Sequence, residues 1–165
     1  MPRLATSKEE FEGQIREGRF AEWALVHGNY YGTSRARVEE LVNAGIEVIL
    51  DIDVQGARQF AHAYPHAVLV FLLPPSVEVL VARLIGRNTE DRSTLLTRLR
   101  SAHAELQDVD RYHYVVVNDH LEATIARVGA IIDAEMVRRD RVRALDQQVL
   151  GLVQRLEQEI SQYSA

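Results

Sequence analysis

The sequence predicts an α/β protein built on a parallel sheet covered by helices. Ile46 to Ile52, Ala67 to Leu73 and Tyr114 to Val117 are continuous apolar or β-branched runs, without the alternation of a half-exposed strand. Such runs suit strands buried on two faces. Between them lie segments with apolar residues at helical spacing, and strands alternating with helices read as parallel β-α-β units.

Each element follows from a local signal. Ser7, with Glu10 three residues on, is a capping box that opens a short helix ending near Gly18. Phe20 to Val26 and Asn29 to Gly32 read as two short strands joined through His27 and Gly28. Ser34 caps a second helix, whose Val38, Leu41 and Val42 fall at helical spacing before Gly45 stops it. Pro74-Pro75-Ser76 ends the second apolar run and starts a helix to about Ile85. A polar stretch, Arg87 to Ser93, leads into a further helix to about Val109, and a long helix follows from Leu121. A sheet of so few strands is thin, and a missing neighbour leaves a hydrophobic edge exposed. The sheet wants another strand that the sequence does not supply.

With 165 residues the chain reads as a single domain with a core of its own. Its 47% hydrophobic and 26% charged residues are ordinary for a globular protein. A net charge of −5 gives no general attraction to nucleic acid or to an anionic membrane. Cysteine is absent, which excludes disulfides, thiolate metal sites and cysteine nucleophiles. No apolar run approaches the roughly 18 residues of a membrane span, and the polar N-terminus lacks a signal core. A cytoplasmic location is expected. The histidines form no metal motif: His62 and His66 are four apart, but Pro65 breaks the helix between them.

In open α/β sheets ligands sit beyond the carboxyl ends of the strands, where Asp51, Asp53, Asn118 and Asp119 fall. Asp51 and Asp53 share one face of a strand by period-two geometry. Two carboxylates there repel unless a cation or a donor lies between them. A hydrated Mg²⁺ shared with nucleotide phosphates suits such a pair. Alternatively, strand-end aspartates cap the next helix. Arg83 and Arg87, four apart at the end of one helix, share a face, and Arg98 falls on the next. By themselves these arginines read as solvated helix charges, and Glu22 as an exposed strand residue.

The wider context changes that reading. Phe20 to Thr33 (FAEWALVHGNYYGT) and Leu50 to Gly56 (LDIDVQG) resemble the GMP-binding half of guanylate kinases. No glycine-rich loop ending in Gly-Lys-Ser/Thr accompanies them; the chain's lysine is Lys8, between Ser7 and Glu9. The resemblance covers roughly residues 7 to 145. It implies a P-loop nucleoside monophosphate kinase-like parallel sheet, N-terminally truncated. A small GMP-binding β subdomain falls at about 7–34, a helical lid at about 86–98 and a C-terminal helix at about 121–163.

The activity implied is ATP- and Mg²⁺-dependent phosphorylation of GMP or dGMP to the diphosphate. The alternative is a catalytically silent GMP-binding or protein-interaction module. The family's base and phosphate contacts fall on Glu22, Tyr31, Thr33 and Asp53. A carboxylate such as Glu22 pairs naturally with the adjacent N1–H and amino donors of guanine, and discriminates against a base that lacks them. Phosphate contacts that flank the lid fall on Arg83, Arg87 and Arg98, consistent with phosphoryl transfer by charge neutralisation. Asn118 matches the residue that helps hold adenine, although it reads equally as a helix cap. Asp51 is implied to hold Mg²⁺ through water.

The pattern departs from the family at Asn88, at Asp91-Arg92-Ser93 and at His120. The family's phosphate loop and its GMP-phosphate clamp belong before Lys8 in chain order, so the 165 residues alone are expected to be inactive. Val142, Leu145, Val149, Leu152, Leu156 and Ile160 form a three-four seam, read either as packing on its own domain or as a homodimer through the C-terminal helix.

Overall fold

The computed structural model describes residues 7–26, 28–86, 92–142 and 144–164. They belong to two compact units, one reaching Phe71 and resuming at Ser76–Val115, the other made of Leu72–Pro75 and the chain from Val116 onward.

Among the described residues the first unit holds a hairpin and five α-helices. Helix α1 (Lys8–Arg16) starts at the expected capping box, with the Glu10 amide donating to Ser7 Oγ at 3.2 Å and the Ser7 amide to Glu10 Oε2 at 3.0 Å. Strands β1 (Phe20–Val26) and β2 (Asn29–Ser34) pair antiparallel, with Glu22 opposite Thr33 and Ala24 opposite Tyr31. One face of the hairpin receives α1 through an aromatic stack: Phe11 lies 4.3 Å from the Phe20 ring centroid and 5.0 Å from that of Tyr30. A Cβ at residue 32 would stand 2.9 Å from the Phe20 ring, so only glycine lets β2 run beneath the stack.

Ser34 caps α2 (Arg35–Asn43), which buries Val38. Asp53 caps α3 (Val54–Ala63), which packs on β1 through Val54, Gly56 and Ala57 and ends before Pro65. Helix α4 (Val77–Ile85), capped by Ser76, packs on α5 (Arg92–Leu106), and a 3₁₀ turn follows at Val109–Arg111. Residues 87–91 of the expected lid lie outside the described residues; Gly86 caps the end of α4, and 92–98 form the first turns of α5.

Strands β3 (Val70–Leu73) and β4 (Tyr114–Val117) form the second sheet. Leu69 O accepts from the Tyr114 amide and Leu73 O from the Asn118 amide, so donor and acceptor advance together and the pair is parallel. The α/β class is the one expected.

Two expectations are corrected. Residues 46–53 form no strand, and Ile49 is 75% exposed. A strand exists through a neighbour that takes its N–H and C=O groups. Among the described residues none flanks this stretch, and an apolar run alone cannot supply one. The 121–163 helix is also two helices, α6 (Leu121–Met136) and α7 (Leu145–Tyr163). Buried Glu135 gathers Arg138 at 3.1 Å and Arg141 at 3.2 Å, curling the chain into a turn. A continued helix would place Arg138 and Arg141 on one face, where like charges repel. On α7 the seam residues Val149, Leu152, Leu156 and Ile160 are exposed.

Candidate functional site

The site is built where β1, β2 and α3 meet. Register puts Glu22, Ala24, Tyr31 and Thr33 on one face of the hairpin, with Trp23 and Tyr30 on the other. A bulge between Phe20 and Glu22 breaks the alternation, so that Ala21 and Glu22 are both buried although adjacent. Bulges bend a strand and re-aim its side chains. Glu22, which reads as exposed for a lone charged strand residue, stays in step with buried Ala24 and is 5% exposed, and the bulge adds Ala21 to the buried set.

The Thr33 hydroxyl donates to Glu22 Oε1 at 2.5 Å. The other carboxylate oxygen lies against Gly56: a Cβ built there would stand 2.6 Å from Glu22 Oε2 and 3.3 Å from Asp53 Oδ1. Two carboxylates thus converge on the bare backbone of the first turn of α3. Asp53 takes the capping role, accepting from the Gly56 amide at 2.7 Å. The expected strand that would put Asp51 and Asp53 on one face is not formed, so the alternative, helix capping, is what Asp53 does. Asp51 is exposed just before it. Among the described residues no group of three metal-ligating side chains occurs.

The structure brings Glu22, Thr33, Tyr31 and Asp53 together from segments twenty residues apart, with Tyr31 exposed at the rim. Arg83, exposed, and Arg98, half-buried, stand on the packed pair α4 and α5. Arg87 lies outside the described residues. Asn118 belongs to the second unit, where its Oδ1 receives the Thr124 hydroxyl at 3.4 Å. The residue before the first turn of α6 is His120, so Asn118 is not its cap.

Gln59, Arg58, Glu105 and Tyr112, all near the site, belong to none of the motifs read from the sequence. Gln59 of α3 grips the Trp23 backbone, donating to its carbonyl at 2.7 Å and accepting from its amide at 3.2 Å. Gln59 lies three residues after Gly56, so helical spacing from the Asp-Ile-Asp-Val-Gln-Gly block was the available clue. Arg58 pairs with Asp108, which also takes Arg111 at 3.3 Å. Partial burial and, second, the nearby Asp53 carboxylate hold Glu105 above the ordinary carboxylate value. Tyr112 is likewise raised, by burial first and then by Asp108, Glu105 and Asp53.

Comparison with known proteins places this geometry. The guanylate kinase family model matches residues 5–135. The guanylate kinase of Clostridium tetani is 46% identical over 137 residues, covering 83% of this chain and 66% of the relative. That of Symbiobacterium thermophilum is 49% identical over 135 residues, covering 82% and 64%. The chain thus spans slightly less than two thirds of their length. The crystal structure of guanylate kinase from Anaplasma phagocytophilum superposes with a TM-score of 0.71 at 30% identity, covering 89% of this chain and 77% of that one. The hairpin and capped helix that converge on Glu22 are therefore parts of a shared fold, and this chain belongs to the guanylate kinase family.

Proposed function

We propose that the chain carries the GMP-binding site of a guanylate kinase, taking GMP or dGMP as the acceptor of a phosphoryl group from ATP. The observation that supports this most is the burial of Glu22 between Thr33 and Gly56. A buried carboxylate is costly unless donors meet it. Guanine offers two adjacent donors, N1–H and the exocyclic amino group, where adenine offers an acceptor at N1. Binding guanine satisfies the carboxylate, and binding adenine strands it, which is the stronger form of discrimination. Thr33 orients Glu22, Asp53 adds a second carboxylate towards the base, and Tyr31 at the rim offers its hydroxyl to the monophosphate.

In this reading Arg83, Arg87 and Arg98 neutralise the phosphates during transfer, and Asn118 holds the adenine of ATP. Asp51, exposed and of the hard oxygen type that Mg²⁺ prefers, would hold that ion through water. Bound Mg²⁺ supplies charge neutralisation to the nucleotide phosphates. The 165 residues carry no Gly-x-x-x-x-Gly-Lys-Ser/Thr segment to cradle the donor phosphates. Single preorganised donors are worth about 3 kcal/mol each in the transition state. By itself this chain binds GMP and does not phosphorylate it at a kinase rate.

Calorimetric titration of GMP and AMP into the chain and into Glu22→Gln tests the site. GMP selectivity in the first and its loss in the second is expected; equal selectivity in both would refute the assignment of Glu22. A coupled assay with ATP and Mg²⁺ tests turnover, and GDP formation at ordinary kinase rates would overturn the inactivity.

A further inference from the structure

We propose that Gln59 is a positioning residue for guanine recognition, setting the aim of Glu22 through the backbone of Trp23. The inference rests on Glu22 being the residue that reads the base. It comes from the paired hydrogen bonds between one side-chain amide and one backbone residue 36 positions away in sequence.

A carboxamide carries an acceptor and a donor at one end, the same pair that a neighbouring strand presents to an edge. Gln59 uses both on Trp23, accepting its N–H and donating to its C=O. The Trp23 N–H lies in the peptide plane that begins at the Glu22 carbonyl carbon. Holding that N–H fixes the rotation of this plane about Glu22, and with it the direction of the Glu22 side chain. Helix α3 therefore addresses Glu22 at two points one turn apart. Gly56 lets the carboxylate approach, and Gln59 locks the strand that delivers it.

The bulge just before Glu22 explains why such a lock is needed. Between Phe20 and Glu22 the register with β2 shifts, so the local ladder is disturbed where the aim of the carboxylate matters. Bidentate recognition of guanine tolerates little displacement, and errors of about 1 Å in a reacting or recognising group are felt strongly. An apolar residue at 59 could fill the space on β1 but could not hold both backbone groups of Trp23.

The test uses the full chain with Gln59→Met, which keeps length without the amide, and Gln59→Glu, which keeps the acceptor and loses the donor. Dissociation constants for GMP and IMP are measured for each by calorimetry. IMP keeps the N1–H donor and lacks the exocyclic amino group, so the ratio reports how well the carboxylate is aligned with that second donor. Glu22→Gln serves as the reference. The GMP-over-IMP preference is expected to fall about tenfold in both Gln59 variants, with the Trp23 amide exchanging faster and GMP still bound. A merely structural role would lower thermal stability and weaken both nucleotides together, leaving the ratio intact; that result overturns the proposal. If Gln59→Met does not fold, the ratio in Gln59→Glu decides. If Glu22→Gln itself leaves the ratio unchanged, or the unsubstituted chain binds no GMP, the reading of Glu22 fails and this inference falls with it. A change in Glu22→Gln without one in the Gln59 variants removes the role of Gln59 alone.

Discussion

A Cβ on residue 56 would stand 2.6 Å from the Glu22 carboxylate, a separation that real side chains do not adopt. Gly56 sits in the first turn of α3, where alanine is ordinarily preferred over glycine by about 1 kcal/mol. The Gly56→Ala substitution therefore sets helix propensity against the site. The buried carboxylate is the movable partner, so the expected outcome is a melting temperature near that of the unsubstituted chain with GMP affinity at least about tenfold weaker. Thermal melting and calorimetry on the same sample check both halves.

Thr33→Val removes the hydroxyl that donates to Glu22 while keeping the shape of the side chain. A buried acceptor deprived of its donor costs about 1–3 kcal/mol. Urea unfolding should show a loss in that range for Thr33→Val. Thr33→Ser, which keeps the donor, should lose clearly less. A loss confined to Thr33→Ser, with Thr33→Val as stable as the unsubstituted chain, would mean that the methyl group, and not the hydrogen bond, is what matters at this position.

Glu105 supplies a pH test. Partial burial first, and the Asp53 charge second, raise its carboxyl above the ordinary value of 4.5. The folded chain then holds the proton more tightly than the unfolded one. The corresponding stability is full below the ordinary value and is lost as pH rises through the raised one. Glu105→Gln should gain stability over the unsubstituted chain at about pH 7, with the gain vanishing near pH 4. Urea midpoints measured across that window check the sign, and a gain that grew on acidification would contradict it.

Glu135 governs the break between α6 and α7, holding Arg138 and Arg141 from a buried position. Its arginine partners are partly exposed, which places the pair between the surface and buried regimes. Glu135→Gln should cost about 1–2 kcal/mol and loosen the turn. Limited trypsin digestion should then cut faster after Arg138 or Arg139 than in the unsubstituted chain. Unchanged cleavage would show that the turn forms without the carboxylate.

Much of the fold was legible because its signals are local. The helix starts at Ser7, Ser34 and Ser76 follow from hydroxyls that accept from the amide three residues on, and all three form as expected. The pairing of Phe20–Val26 with Asn29–Ser34 follows from two β-rich runs joined by a short turn. The strand at 46–52 was misread because its existence depends on a partner remote in sequence. The single helix at 121–163 was misread because periodicity does not register that one carboxylate collects two arginines. The lid expected at 86–98 falls partly on residues outside those described.

For the site, the residue types and their grouping in two segments were readable, as was the family. Composition and spacing by themselves determined an α/β chain without cysteine, with a carboxylate on a short strand and a pair of aspartates before a helix. Only the tertiary structure decided what those groups do. The hairpin register and α3 bury Glu22, where a lone charged strand residue reads as exposed; the bare backbone of Gly56 admits its carboxylate; and Asp53 turns to cap α3. Gln59, one turn beyond Gly56, holds both backbone groups of Trp23 from across the fold. The physical reason is range: caps and turns are settled by groups a few residues apart, whereas burial, register and close approach are settled by segments that meet only when the chain has folded.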